Sequence, residues 1–292
     1  MNAHSQQPTH TTGVVYRPDY DPDTLRGFAQ AADAGGIDEL WLWEDCFLQG
    51  AIAQAAVALA STQKVVVGIG VMPAPLRSVA ATALELATLS RMFPGRLRVG
   101  VGHGVQSWMR QAGVAVDSPL TLLREYVQAL QRLLAGEKVT VSGRYVRLAD
   151  VQLEWTPALP VPVLIGATGP KTLRLAGEIA DGVILDCQHT ARTVRDALTH
   201  VAAGRDTHRP FTTVMYLACV LGSDSATRLS TEAQKWRVPS ADGFGVGGSA
   251  DEIRTGAAAY RAAGVDTVVF QPLGGPAEAA DLISAAGAGR HP

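Results

Sequence analysis

Residues 64–72 read KVVVGIGVM, and residues 96–102 read RLRVGVG. The first run is apolar at nearly every position and is broken only by Gly68 and Gly70. A strand without an alternating polar face is covered on both sides. That is the mark of a parallel sheet packed under helices. Between the two runs, Arg77–Met92 has helical spacing, so the stretch forms a strand–helix–strand unit.

The alternation continues outward. Upstream, Thr12–Tyr16 reads as a strand, Asp23–Ala34 as a helix stopped by Gly35-Gly36, Asp38–Trp43 (DELWLW) as a strand, and Ala51–Leu59 as an Ala-rich helix. Downstream, Pro119–Leu134 is a long amphipathic helix ending before Gly136. Val139–Val141 and Tyr145–Leu148 flank Ser142-Gly143-Arg144 and predict an inserted β-hairpin. The rhythm then resumes with strand Val161–Ile165, helix Thr168–Ala180, strand Gly182–Asp186 and helix Ala191–Ala203. It ends with strand Phe211–Leu221, helix Ala250–Ala263, strand Val265–Phe270 and helix Glu278–Ala285. Eight strands alternating with helices in 292 residues predict a (β/α)8 TIM barrel. A doubly wound open sheet competes, but no GxGxxG follows the first strand. Residues 1–12 are expected to be a disordered leader, and 13–292 a single barrel domain. Pro239–Ser249 (PSADGFGVGGS) is expected to be a mobile loop, either a surface linker or a lid.

The composition narrows the function. Hydrophobic residues make up 47% and charged residues 18%, which suits a globular enzyme. A net charge of −2 with scattered basic residues argues against nucleic acid as a partner. Cys46, Cys187 and Cys219 are odd in number and widely spaced, against a disulfide framework or a zinc site. Reduced thiols fit a cytoplasmic protein better. No apolar run reaches the roughly 20 residues of a membrane span. The chain shows no GxSxG elbow, no HExxH and no cluster with metal spacing, so no metal is expected.

In a barrel, chemistry gathers where strands end. The second strand ends Trp43-Glu44-Asp45-Cys46, two carboxylates and a thiol that suit either a site or a solvated turn. The third ends Gly70-Val71-Met72, where glycines suit either a bulge against a flat ligand or close barrel packing. The fourth ends Gly102-His103-Gly104, with a histidine able to move protons near neutrality. The fifth ends Gly166-Ala167-Thr168-Gly169-Pro170-Lys171, a Gly-rich turn running into a helix. It reads as a phosphate cradle, or more plainly as a capped turn. Asp186 follows the sixth strand at the mouth, whereas Asp181 precedes it at the opposite face. A phosphate cradle with few catalytic side chains suits a cofactor that does the chemistry itself.

DELWLWED, KVVVGIGVMPAPLRS, SRMFPGRLRVGVGHG and VPVLIGATGPKTLRLAGEIADGVIL together resemble the luciferase-like oxidoreductases, over about residues 13–186. That superfamily holds flavin-dependent monooxygenases and deazaflavin-dependent reductases and dehydrogenases. The GHG stretch and the turn after the fifth strand look closer to the deazaflavin members, so the resemblance implies coenzyme F420, with FMN as the alternative. It implies a bulge with a non-prolyl cis peptide at Gly70–Val71 backing the cofactor ring, and phosphate contacts at Thr168, Gly169 and Lys171. It also implies a role for Asp45. Where deazaflavin members carry a histidine after that aspartate, this chain has Cys46. Where the family's sugar-phosphate dehydrogenases carry a glutamate, it has Val105. The usual acid–base pair is therefore not carried over, and His103 is its nearest replacement. A deazaflavin transfers hydride and does not activate oxygen. The expected reaction is thus hydride transfer to or from a small organic substrate with a C=C, C=N or C=O group. The proton would come from His103, Cys46 or Asp45. The alternatives are an FMN monooxygenase and a cofactor-binding protein without catalysis. The resemblance also implies a homodimer, for which Ala51–Ala60 and Val79–Leu89 are candidate faces.

Overall fold

Eight strands lie side by side in parallel and close on themselves in this computed structural model, which describes residues 10–238 and 243–287. In chain order the elements are β1 (Thr11–Val15), α1 (Leu25–Ala34), β2 (Glu39–Leu42), α2 (Ala51–Ala60), β3 (Val66–Pro73), α3 (Val79–Met92) and β4 (Leu97–Gly102). Then come α4 (Gln106–Gln111), α5 (Pro119–Leu134), β5 (Val139–Ser142), β6 (Arg147–Val151), β7 (Val163–Gly166), α6 (Pro170–Ile179), β8 (Gly182–Leu185) and α7 (Ala191–Ala202). The chain closes with β9 (Thr212–Leu221), α8 (Ser225–Lys235), β10 (Val246–Gly248), α9 (Ala250–Ala262), β11 (Thr267–Pro272) and α10 (Pro276–Gly287). The barrel order is β1-β2-β3-β4-β7-β8-β9-β11, and β11 pairs back onto β1. The expected (β/α)8 barrel is the observed fold.

Strand alternation sorts the side chains into two layers. Leu40 and Leu42, Val67 and Ile69, and Val99 and Val101 point outward into the shell beneath the helices. Trp41, Leu164, Ile184, Val214, Tyr216 and Val269 point inward and fill the barrel. The DELWLW stretch therefore sends Glu39, Trp41 and Trp43 inward, one above the other. Glu39, 1% exposed, accepts from Trp41 Nε1 at 2.8 Å and pairs with Arg98 of β4 at 3.0 Å. That pair, Glu39 buried and Arg98 partly exposed, forms the barrel floor.

The inserted hairpin is present as β5 and β6, antiparallel, with its second strand two residues later than expected. Glu125 of α5 holds its turn, accepting the backbone N–H groups of Arg144, Tyr145 and Val146 at 2.9, 2.8 and 3.0 Å. Three readings need correction. The strand β1 begins at Thr11, so the expected leader overlaps it; residues 1–9 lie outside the described residues. Val246–Gly248, inside the expected loop, is the strand β10 paired with the end of β9, while residues 239–242 lie outside the described ones. Helices α4 and α8 were not expected. In α8 only Leu229 and Ala233 present an apolar face, too short a stripe to read.

Candidate active site at the barrel mouth

The bulge in β3 organises the mouth. Its register against β4 jumps between Ile69 and Met72, so Val71 is left without a ladder partner. The peptide bonds Gly70–Val71 and Cys46–Phe47 are cis. Only the first of these was expected. The side chain of Val71 seats in a notch made by three glycines on neighbouring strands. A Cβ on Gly100, Gly102 or Gly166 would come within 3.1, 2.9 or 2.7 Å of the Val71 methyls. Gly100, Gly102 and Gly166, at the ends of β4 and β7, thus serve close packing around the bulge.

Beneath the bulge, Gly68 and Gly70 leave room for the Trp41 indole. The Tyr216 hydroxyl donates to the Gly70 carbonyl at 2.8 Å from within the barrel. Burial pushes that phenol well above its ordinary range, so it remains a donor. Tyr216 also packs against Trp43, ring centroids 5.7 Å apart, carrying the aromatic stack up to the mouth. No sequence signal marked Tyr216; it sits in an apolar strand and meets β3 only through barrel closure.

The β2 end is tied to the same bulge, as the Glu44 N–H donates to the Val71 carbonyl at 3.3 Å. The two adjacent carboxylates have different duties. Glu44 is engaged by both terminal nitrogens of Arg77, at 2.8 and 2.9 Å. The Asp45 carboxylate accepts from Trp43 Nε1, at 3.0 Å, and has no ion-pair partner among the described residues. Burial, with a smaller push from Asp19, raises the Asp45 carboxyl above its ordinary range against the Trp43 bond. Burial and the charges of Glu44 and Asp45 raise the Cys46 thiol, opposed by Arg77. Cys46 is therefore a protonated thiol at neutral pH, fitted to donate rather than attack.

His103 follows Gly102 on the β4 edge, half-buried, with Nδ1 3.0 Å from the Gly104 carbonyl. Gln106 pins the same turn through the His103 and Gly104 carbonyls at 3.2 and 3.0 Å. Past Gly166, Ala167 is buried and donates its N–H to Ile184. Thr168, Pro170 and Lys171 are exposed, and Gly169 faces open space. Gly169 caps α6 without a side-chain bond, which leaves the positive helix end and the Thr168 hydroxyl open to an anion.

Asp45, Gly70, Val71, Met72, Gly102 and Gly166 thus meet around one bulge. His103 and Cys46 stand beside it, and the turn from Thr168 to Lys171 begins two residues beyond. Asp186 closes the other side of the mouth, its carboxyl raised by burial against bonds from Gln188 and the nearby His189. Asp181 lies at the opposite face, accepting the Val163 N–H at 2.9 Å, as its place before the strand implies. Among the described residues, no group of three or more His, Cys, Asp or Glu is placed to hold a metal. No helix among them is long and apolar enough to cross a membrane.

The family model for luciferase-like monooxygenases matches residues 1–285. The chain belongs to that family. Among curated relatives it is 30% identical over 194 residues to 5,10-methylenetetrahydromethanopterin reductase of Methanolobus tindarius, covering 66% of this chain and 59% of the relative. It is 33% identical over 177 residues to the F420-dependent glucose-6-phosphate dehydrogenase of Nakamurella multipartita, covering 56% of this chain and 52% of the relative. The matched segment thus spans little more than half the length of these relatives. In fold it is similar to the coenzyme F420-dependent tetrahydromethanopterin reductase of Methanopyrus kandleri, TM-score 0.82 at 19% identity over 95% of this chain and 97% of that one. An FMN-bound Baeyer–Villiger monooxygenase component from Pseudomonas putida has TM-score 0.72 at 16% identity, over 94% of this chain and 96% of that one.

Proposed function

We propose that this chain is an oxidoreductase that takes coenzyme F420 at the barrel mouth and exchanges hydride with a small organic substrate. The observation that carries the reading is the seating of the β3 bulge. Val71 fills the three-glycine notch beside the open end of α6, so a flat backing and an anion cradle share one rim. The F420-dependent names of the relatives support the deazaflavin over the flavin.

These residues fit such a cofactor. Gly70, Val71 and Met72 would back the ring, and Gly102 and Gly166 would leave main chain near it. Ala167, Thr168, Gly169, Pro170 and Lys171 shape the phosphate turn, with the Thr168 hydroxyl and the Lys171 ammonium as its side-chain partners. When bound, the deazaflavin supplies a hydride donor or acceptor that does not activate oxygen. Trp43 walls the substrate side and orients Asp45 through its indole N–H. The matching proton is held by Cys46, Asp45 or His103, which line the same edge. Glu44 serves as an anchor because Arg77 neutralises it.

Titration of the purified chain with oxidised coenzyme F420 and, separately, with FMN tests the reading by fluorescence. Micromolar or tighter binding of F420 with much weaker FMN is the expected result. Preference for FMN transfers the chain to the oxygen-using monooxygenases, and binding of neither overturns both. Turnover on a panel of reducible compounds separates an enzyme from a carrier. We further infer a homodimer, supported by exposed Val57 on α2 and Leu84 on α3, and a cytoplasmic location, supported by three free cysteines.

A further inference from the structure

A cleft of about 350 Å³ opens beside the mouth, between the turn after β3, the segment before α5 and the tip of the β5–β6 hairpin. That volume is within the range of small-molecule sites. Its wall is built from core residues that come to the surface there, among them Ala74, Val79, Leu122 and Val146, each at most 7% exposed.

The polar groups of the wall are nearly all committed. Arg77 is clasped by Glu44, with Glu85 at 3.9 Å. The Tyr126 hydroxyl shares a 2.6 Å bond with Thr82, and burial pushes its pKa up to about 12. The Tyr145 hydroxyl accepts the Ser118 N–H at 2.9 Å, and Ser78 Oγ caps α3 through Ala81. Arg147, exposed on β6, has no ion-pair partner among the described residues. An apolar wall with one free guanidinium selects a ligand with an apolar body and one negative charge. A neutral ligand would leave Arg147 unused, and a polyanion would meet no second free cation.

We propose that this cleft is a binding site for a small amphipathic carboxylic acid, its apolar body against Val79, Leu122 and Val146 and its carboxylate paired with Arg147. The site is separate from the phosphate turn after β7. It touches the mouth through Arg77, whose partner Glu44 leads directly to Asp45 and Cys46. The hairpin, otherwise an ornament on the barrel, supplies both the cation and one wall.

The test uses the full chain without cofactor, so its failure leaves the coenzyme reading standing, and failure of F420 to bind leaves the cleft standing. The probe is 1-naphthylacetate, followed by methyl NMR and calorimetry, with neutral 2-(1-naphthyl)ethanol as its counterpart. Saturable binding of the acid with shifts at the Val79, Leu122 and Val146 methyls is expected. Arg147→Gln is expected to weaken the acid about fivefold, the worth of one partly exposed ion pair, and to leave the alcohol unchanged. Val116→Trp, which fills the cleft, is expected to abolish both. The proposal is overturned by the absence of saturable shifts at those methyls, by equal acid affinity in Arg147→Gln, or by undiminished binding in Val116→Trp.

Discussion

At the scale of single residues, the mouth turns on how each ionisable group is partnered. Glu44 and Asp45 are neighbours in sequence, yet one is neutralised by Arg77 and the other is left to burial. A carboxyl whose pKa is raised by folding binds protons more tightly in the folded state. Its unfavourable contribution is absent below the ordinary value of 3.8, grows as pH rises from there to the raised value, and is constant above it. Asp45→Asn removes that contribution and keeps an acceptor for Trp43. Its melting temperature relative to the parent is therefore expected to climb with pH above that ordinary value and then level off. A pH-independent difference would contradict the raised pKa. The barrel floor gives the opposite lesson. Arg98 neutralises Glu39, which is 1% exposed, so Arg98→Met strands a buried carboxylate. A loss of about 3 kcal/mol is expected near neutral pH by denaturant unfolding. Burial already raises the Glu39 carboxyl, so protonation relieves the defect, and the loss is expected to shrink as the pH is lowered.

At the scale of elements, β3, β4 and β7 act as one device. The bulge projects Val71, and glycines on the next two strands receive it. Gly166→Ala introduces a methyl whose carbon lies 2.7 Å from a Val71 methyl, closer than contact allows, so the bulge must shift. A loss of about tenfold in coenzyme F420 affinity is expected by fluorescence titration. Val71→Ala in the same chain vacates the space and is expected to restore most of it. Failure of the second change to rescue the first would show that the notch does not set the cofactor surface.

At the scale of the whole molecule, closure of the barrel brings β9 against β11 and β8, and so delivers Tyr216 to the underside of the bulge. It leaves Phe47, Leu48, Val57 and Leu84 exposed on the β2–α2–α3 side, at 67, 58, 40 and 60%. Of these, Val57 and Leu84 are the basis of the inferred dimer. Light scattering after size exclusion is expected to give twice the chain mass, and Leu84→Glu to shift it toward a monomer with the barrel intact by circular dichroism. A monomeric parent chain removes the inference.

The sequence by itself determined the barrel. Continuous apolar runs and period-3.6 patterns are local, and eight apolar strands spaced by amphipathic helices have few ways to bury both faces of a sheet. It also marked the strand ends, because glycines inside buried strands demand a reason, and so pointed to Gly70, Gly102 and Gly166. Its misreadings fall where local signals are weak. Helix α8 has only a two-residue apolar stripe, and β10 is three residues long and borrows its order from β9. Only the tertiary structure decided that Val71 fills the notch of those glycines, that Tyr216 holds the Gly70 carbonyl, and that Arg77 takes Glu44 while Asp45 is left to burial. It alone placed Arg147 at the edge of an apolar cleft. The physical reason is separation along the chain. Tyr216 lies 146 residues from Gly70, and Arg77 lies 33 from Glu44, so only closure of the sheet makes these partners neighbours.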